Sequence, residues 1–318
     1  MTKSIGLCII GAGAIAERHM QAFERLGGVL PRWVVSRRED AAGDFARRWK
    51  FAKVGTSVEP ALADPLVKLV LITSPSPLHS EQAMQALQAG KDVIVEIPVA
   101  LSWQEAQHVF HVAAALGRRV WVCHTMRSYA ALREVRQRVR TGGLHITQIA
   151  GFFGIPRRRN QGMGNVGTRS WIDNLLWHHG CHQVDASLWV LDMPKVPRVR
   201  ALLGPRHPTL GMALDVGVQM VPAGGELITQ ALTYNLEQLT WRLQFIGRED
   251  VLKYDSGRLT NEAGEELVSD TSLDDLIVQN RELLHAWHSG EPCEYDLASV
   301  LPTMEVLGRA QRSADEGS

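Results

Sequence analysis

Residues 4–26 read SIGLCIIGAGAIAERHMQAFERL, and this stretch decides the fold. The unbroken apolar run 4–10 is the pattern of a parallel strand covered on both faces. It leads directly into Gly11-Ala12-Gly13-Ala14-Ile15-Ala16, and residues 14–26 then carry helical spacing. Strand, small-residue loop and helix in that order satisfy the pattern GxGxxG/A, with Gly11, Gly13 and Ala16 at the three small positions. Gly11 permits the tight turn, and Gly13 lets backbone N–H groups approach a pyrophosphate. Ala16 lets the helix pack on the strand, while Ala14 and Ile15 open the helix whose N-terminus meets the anion. The stretch therefore predicts a dinucleotide-binding site, the alternative being an ordinary glycine turn. Lys3 and the run after it also have the outline of a secretory signal. Gly11 and Gly13 break that run, which favours a buried strand.

Moving outward, strand patterns at 30–36, 67–74, 91–98 and 119–125 alternate with helical ones at 39–49, 78–90 and 102–117. This alternation predicts a doubly wound parallel sheet. After residue 125 the rhythm changes to longer strand patterns at 143–156, 196–203, 212–221, 226–235 and 239–247. Helical stretches near 273–289 and 298–313 close the chain. The expected fold is α/β, a Rossmann domain at 1–123 followed by an α+β domain at 124–318 with a large, mostly antiparallel open-faced sheet.

The 318 residues include 34 Lys+Arg and 34 Asp+Glu. That balance gives no global field for nucleic acid or a membrane surface, so an anionic ligand must be met by local clustering. No run reaches the ~18 apolar residues of a membrane span. The four cysteines are far apart with no CxxC spacing, which fits a reducing cytoplasm. The second strand pattern ends in Ser36-Arg37-Arg38, with no acid until Glu39. Guanidinium groups suit a 2′-phosphate where a carboxylate would bind a ribose hydroxyl, so NADP is expected over NAD. Solvated surface arginines are the alternative.

A second stretch carries the chemistry: WHHGCHQVD, residues 177–185, holding three of the twelve histidines. Together with the glycine loop, Thr73-Ser74-Pro75 with His79, Glu96-Ile97-Pro98 and Gly180-x-His182-x-x-Asp185, it resembles the Gfo/Idh/MocA family of two-domain oxidoreductases. The resemblance covers the whole chain. It implies cofactor contacts at Thr73, Pro75, His79, Glu96 and Pro98, and a homodimer formed through the second-domain sheet. Two positions depart from the family. Its usual Glu-Lys-Pro has Ile97 in place of lysine, and the aspartate often found four residues before the helical histidine is His178.

A narrower resemblance rests on Val95-Glu96-Ile97-Pro98, on Arg157, Arg158 and Asn160, on Arg169-Ser170-Trp171, and on Leu175-Leu176-Trp177-His178-His179. It is to NADP-dependent dehydrogenases of aromatic catabolism in the bacterial protocatechuate 4,5-cleavage route. These oxidise a cyclic hemiacetal bearing two carboxylates. The resemblance thus implies a small dicarboxylate substrate.

For such a substrate the hydride leaves the hemiacetal carbon and a base takes the hydroxyl proton. A neutral imidazole, with an ordinary pKa near 6.5, suits that task. Ser170 with Asp173 resembles a capping box and predicts a helix over 171–191. At 100° per residue His178, His182 and Asp185 share a face, and His179 points elsewhere. His182 is the expected base, with His178 orienting it or the substrate. Asp185 is read either as fixing a tautomer or as a structural partner.

Cationic candidates for the carboxylates are Arg127, Arg158, Arg159 and Arg169, with His124 close to Arg127 in sequence and Trp171 as a wall. No metal is expected, because no HExxH pattern or cysteine pair adds a third ligand to the i, i+4 histidine pair; a zinc site completed by His124 or Asp185 is the alternative. Cys181 is read as a packing residue, with a thiolate nucleophile as the alternative. Two other functions stay open: an NAD(P)-dependent dehydrogenase of a sugar, polyol or other cyclic hydroxy-acid, and a non-catalytic NADP-sensing protein.

Overall fold

The computed structural model describes residues 4–158, 174–269 and 274–316. In chain order the first elements are β1 (Ile5–Ile10), α1 (Ala14–Leu26), β2 (Val29–Val35), α2 (Glu39–Trp49), β3 (Lys53–Gly55) and α3 (Glu59–Ala63). They are followed by β4 (Leu69–Ile72), α4 (His79–Gln88), β5 (Asp92–Val95), α5 (Trp103–Ala115) and β6 (Val120–Val122). The second series is α6 (Ala130–Arg140), β7 (Ile146–Pro156), α7 (His179–Trp189), β8 (Arg198–Leu203), β9 (Asp215–Val221), β10 (Leu227–Thr233) and β11 (Asn235–Gly247). It ends with β12 (Val251–Asp255), β13 (Arg258–Thr260), β14 (Glu266–Ser269), α8 (Asp274–Ser289) and α9 (Leu297–Glu316).

The chain forms two compact units, Met1–His124 with Leu276–Val300, and Thr125–Asp275 with Leu301–Ser318. A continuous second domain from residue 124 was expected. Instead, residues 276–300 pack with the first unit. Leu283, Leu284, Ala286 and Tyr295 join the core around β1 and β4, and the Tyr295 carbonyl accepts from Val122 N at 2.9 Å.

The first sheet has order β3-β2-β1-β4-β5-β6 with every pair parallel. All six residues of β1 are buried, as a strand covered on both faces requires. The strand order reverses between β1 and β4, and the carboxyl ends flanking that point are where such sheets bind ligands. Helix α1 buries Ala16, His19, Met20, Ala22 and Phe23.

The second sheet has order β14-β13-β12-β11-β7-β10-β9-β8. It is antiparallel apart from the β7–β10 pair. Strands β9 and β10 alternate buried and exposed residues, so one face is covered and the other open. Helix α7 packs on the covered face, and α9 runs along the β8 edge. There Arg309 donates to the carbonyls of Val196 and Pro197, and the Ala201 N–H donates to Ser313 Oγ at 3.2 Å.

The helix expected over 171–191 begins at His179, and residues 175–178 form a turn. The Asn174 side chain starts that turn by accepting from Leu176 N (2.9 Å) and Trp177 N (3.3 Å). It takes the capping role assigned in sequence to Ser170, which with Asp173 lies outside the described residues. Among the described residues no helix is long and apolar enough to cross a membrane.

Candidate active site

The loop after β1 has the shape that a pyrophosphate needs. Gly11 has φ +107°, and a Cβ there would lie 2.7 Å from the Thr73 carbonyl. Only glycine fits both constraints. At Gly13 a Cβ would meet nothing within 4 Å, and Gly13 caps α1 without a side-chain hydrogen bond. The first N–H groups of α1 therefore border open space, and Ala14 beside them is exposed. Ile15 is half-buried and Ala16 fully buried, so the third small position does pack helix against strand. These residues fit a dinucleotide.

The neighbouring loops are tied to this one. Thr73 Oγ1 donates to the carbonyls of Ile10 (3.1 Å) and Gly11 (3.0 Å). His79 is buried, with Nε2 2.8 Å from the Ser74 carbonyl and Nδ1 2.8 Å from the Pro98 carbonyl. It thus joins the loop holding Pro75 to the one holding Pro98, while burial pulls its pKa down against those carbonyls. Ser36 Oγ accepts from Arg38 N at 3.4 Å, and both Arg37 and Arg38 are exposed at the β2–α2 turn. Glu96 follows β5, its carboxylate held 2.8 Å from His19 Nε2.

In the second unit the placement of α7 depends on an ion pair. Arg127 donates through Nε to Asp185 Oδ2 (2.8 Å) and through Nη2 to Oδ1 (2.6 Å). Both side chains are at most 1% exposed, and Thr303 Oγ1 adds a 2.8 Å bond to Asp185 Oδ1. This is the structural reading of Asp185. It also commits Arg127, a substrate-binding candidate in the sequence, to the interior. Cys181, one turn from Asp185, is fully buried. Desolvation pushes its thiol pKa well up and the Asp185 charge adds to that, so it is a packing residue and not a thiolate.

His178 and His182 are both half-buried, and an aromatic cluster surrounds them. The His182 ring meets Trp241 of β11 at 5.4 Å, and Trp241 meets Phe153 of β7 at 5.1 Å. Phe153 stacks on His179 at 4.5 Å, and His179 meets His178 edge-on at 4.5 Å. His179 is part of this cluster, and its Nδ1 is hydrogen-bonded to the Tyr234 hydroxyl at 2.8 Å. His178 sits at the cap of α7, outside the regular helix, so the 100° rule that grouped it with Asp185 does not govern it.

Of the arginine run, Arg157 and Arg158 are described and differ in exposure. Arg157 is 9% exposed, with its guanidinium 5.4 Å from the Tyr234 ring centroid. Arg158 is exposed and bonded to Glu237 (3.0 Å) and to the Asn235 carbonyl. Of these two, Arg157 is the buried one. Arg159, Arg169 and Trp171 lie outside the described residues. His124 is buried in the first unit. Trp177 is buried and donates to Gln311 Oε1 at 3.2 Å. Sequence reasoning missed Phe153 on β7, Trp241 on β11 and Tyr234 at the bend between β10 and β11, which are far apart in sequence and leave no local motif.

The sequence profile described as an oxidoreductase family with an NAD-binding Rossmann fold matches residues 5–124, and that of bacterial oxidoreductase C-terminal domains matches 130–264. The chain belongs to the Gfo/Idh/MocA family of oxidoreductases. It is 31% identical over 309 residues to the 4-carboxy-2-hydroxymuconate-6-semialdehyde dehydrogenase of Sphingobium sp. (strain NBRC 103272 / SYK-6), covering 96% of this chain and 97% of that one. In fold it is similar to GenD2 from gentamicin A biosynthesis, solved in complex with NAD (TM-score 0.85, 22% identity, 100% and 96% of the two chains). Levoglucosan dehydrogenase with NADH and levoglucosan is another match (TM-score 0.87, 16% identity, 99% and 98%).

Removing one partner of a buried ion pair costs about 3–5 kcal/mol, whereas an exposed pair is worth about 0–1. Urea denaturation should therefore show a large loss for Asp185→Ala and almost none for Arg158→Ala. Equal losses would contradict the division between these two pairs.

Proposed function

We propose that the chain is an NADP-dependent dehydrogenase that oxidises the cyclic hemiacetal of 4-carboxy-2-hydroxymuconate-6-semialdehyde to 2-pyrone-4,6-dicarboxylate. The observation that carries this reading is the full-length likeness to the Sphingobium enzyme, joined to an imidazole–aromatic cluster on α7, β7 and β11. The bound cofactor supplies the hydride acceptor.

The chain's own residues do the rest. His182 accepts the hemiacetal hydroxyl proton as the C–H electron pair leaves as hydride, so the ring carbon becomes a lactone carbonyl. Trp241 gives the flat ring an aromatic surface and fixes the His182 ring from the side. His178 orients the hydroxyl, and the His179–Tyr234 hydrogen bond holds His179 behind it. Arg157 supplies the cation for a carboxylate, in the bidentate way that guanidinium groups bind them. Ile97, 5% exposed, offers no donor where relatives offer a lysine. That favours a substrate whose acidity and ring geometry lighten the demand on the enzyme over an uncharged sugar.

NADPH formation followed at 340 nm, with the ring-fission product of protocatechuate 4,5-cleavage, tests this reading. Turnover is expected in the wild type, and His182→Ala should lower it by about 10²–10⁴-fold, the usual worth of a general base. Equal rates would sink the mechanism, and no wild-type turnover would sink the substrate.

The exposed Arg37 and Arg38 support NADP as the cofactor. Replacing both by alanine should raise KM for NADP while leaving KM for NAD nearly unchanged. Parallel changes for the two cofactors would contradict the assignment.

The open sheet face supports a homodimer. Leu202, Gly217, Ala231, Phe152 and Arg242 lie side by side across it, and Leu202 is 72% exposed. Sedimentation should show a dimer that Leu202→Asp weakens; a wild-type monomer at micromolar concentration would refute it.

A further inference from the structure

Helix α1 holds one residue that its apolar stripe does not explain. His19 faces the sheet beside Ala16, Met20 and Phe23 and is completely excluded from water. An imidazole in that position is retained for its partners, because a buried polar group without them costs about 1–3 kcal/mol. Its Nε2 lies 2.8 Å from Glu96 Oε1. Its Nδ1 faces the side-chain amide of Asn280 on α8, 3.1 Å from Nδ2 and 3.2 Å from Oδ1. Phe23 stacks on the ring at 6.2 Å, and Cys123 Sγ lies 4.0 Å from Nε2.

The chemistry of the donors orders this chain. A carboxylate only accepts, so His19 Nε2–H donates to Glu96. At Nδ1 the ring meets the Asn280 amide, whose Nδ2–H can donate to it and whose Oδ1 can accept from it. Burial holds the Cys123 thiol well above its ordinary pKa, and the Glu96 charge adds to that. The Glu96 side chain is 14% exposed and lies just after β5, at the carboxyl edge of the sheet. Ile97 places no charge next to it.

In a doubly wound sheet the adenosine half of a dinucleotide is met at the end of β2, which leaves the nicotinamide half to the strands beyond the switch point, β4 to β6. The oxidised nicotinamide ring carries a positive charge that the reduced ring lacks.

We propose that the Asn280–His19–Glu96 chain fixes an ionised carboxylate at the end of β5, and that this charge makes the first unit favour the oxidised cofactor over the reduced one. The inference rests on nicotinamide dinucleotide binding by the first unit and not on the identity of the substrate. Glu96 carries the charge, and His19 and Asn280 are positioning residues. His19 and Glu96, together with Cys123, have ligand atoms within 4.8 Å of one another, so a metal ion is the rival occupant of the cluster.

The test is titration of the substrate-free protein with NADP⁺ and NADPH, and with NAD⁺ and NADH, for wild type, Glu96→Gln and His19→Ala. Glu96→Gln keeps the shape and removes the charge, so the affinity ratio of oxidised to reduced cofactor should fall about tenfold, as expected for one partly screened charge near another. His19→Ala should lower the ratio part of the way, because the carboxylate stays but is no longer held. EDTA should change nothing.

An unchanged ratio in either variant that folds overturns the proposal, as does an equal loss of affinity for both forms. A ratio altered by EDTA overturns it in favour of a metal. Failure of both variants to fold would make the cluster a folding element only, and also overturns it. Failure of turnover with the dicarboxylate leaves these titrations unaffected, so the two readings fail separately.

Discussion

The second unit is organised around the ion pair between Arg127 and Asp185. Two opposite charges that are nearly excluded from water are tolerable only when bidentate and further hydrogen-bonded, and Thr303 completes that requirement from α9. The pair pins the middle of α7 to the segment just before α6 and to the last helix. With Asp185 fixed, the helix cannot rotate, and the first turn of α7 must present His179 and His182 to β7 and β11. The histidines are held by what lies one turn beyond them. The same constraint shuts Cys181 into a site where its thiol stays protonated.

On the side of the helix that faces the sheet, the imidazoles are packed among rings. His182 lies against Trp241, and His179 lies between Phe153 and Tyr234, in one aromatic cluster. Arg157 over Tyr234 brings a cation to the same cluster.

Much of this was legible in the sequence because it was local. The glycine loop is a spacing rule, and α1 and α2 begin and end at the residues their periodicity indicates. The switch to an antiparallel sheet showed in the lengthening strand patterns. Four things were not legible, each for a physical reason. The return of residues 276–300 to the first unit is a long-range packing event with no local sign. The start of α7 was misplaced because Asn174 provides the turn. The commitment of Arg127 was invisible because its partner lies 58 residues away. The aromatic partners of the histidines were missed because Phe153, Tyr234 and Trp241 meet only when β7, β10 and β11 are aligned.

The role given to His182 can be separated from any structural role by chemical rescue. If its imidazole takes the hydroxyl proton, the His182→Ala chain loaded with oxidised cofactor and the dicarboxylate hemiacetal should transfer hydride slowly in a single turnover. The rate should then rise in proportion to imidazole added to the buffer. A rate that ignores added imidazole, or equals that of the wild type without it, would contradict the assignment of His182 as the base.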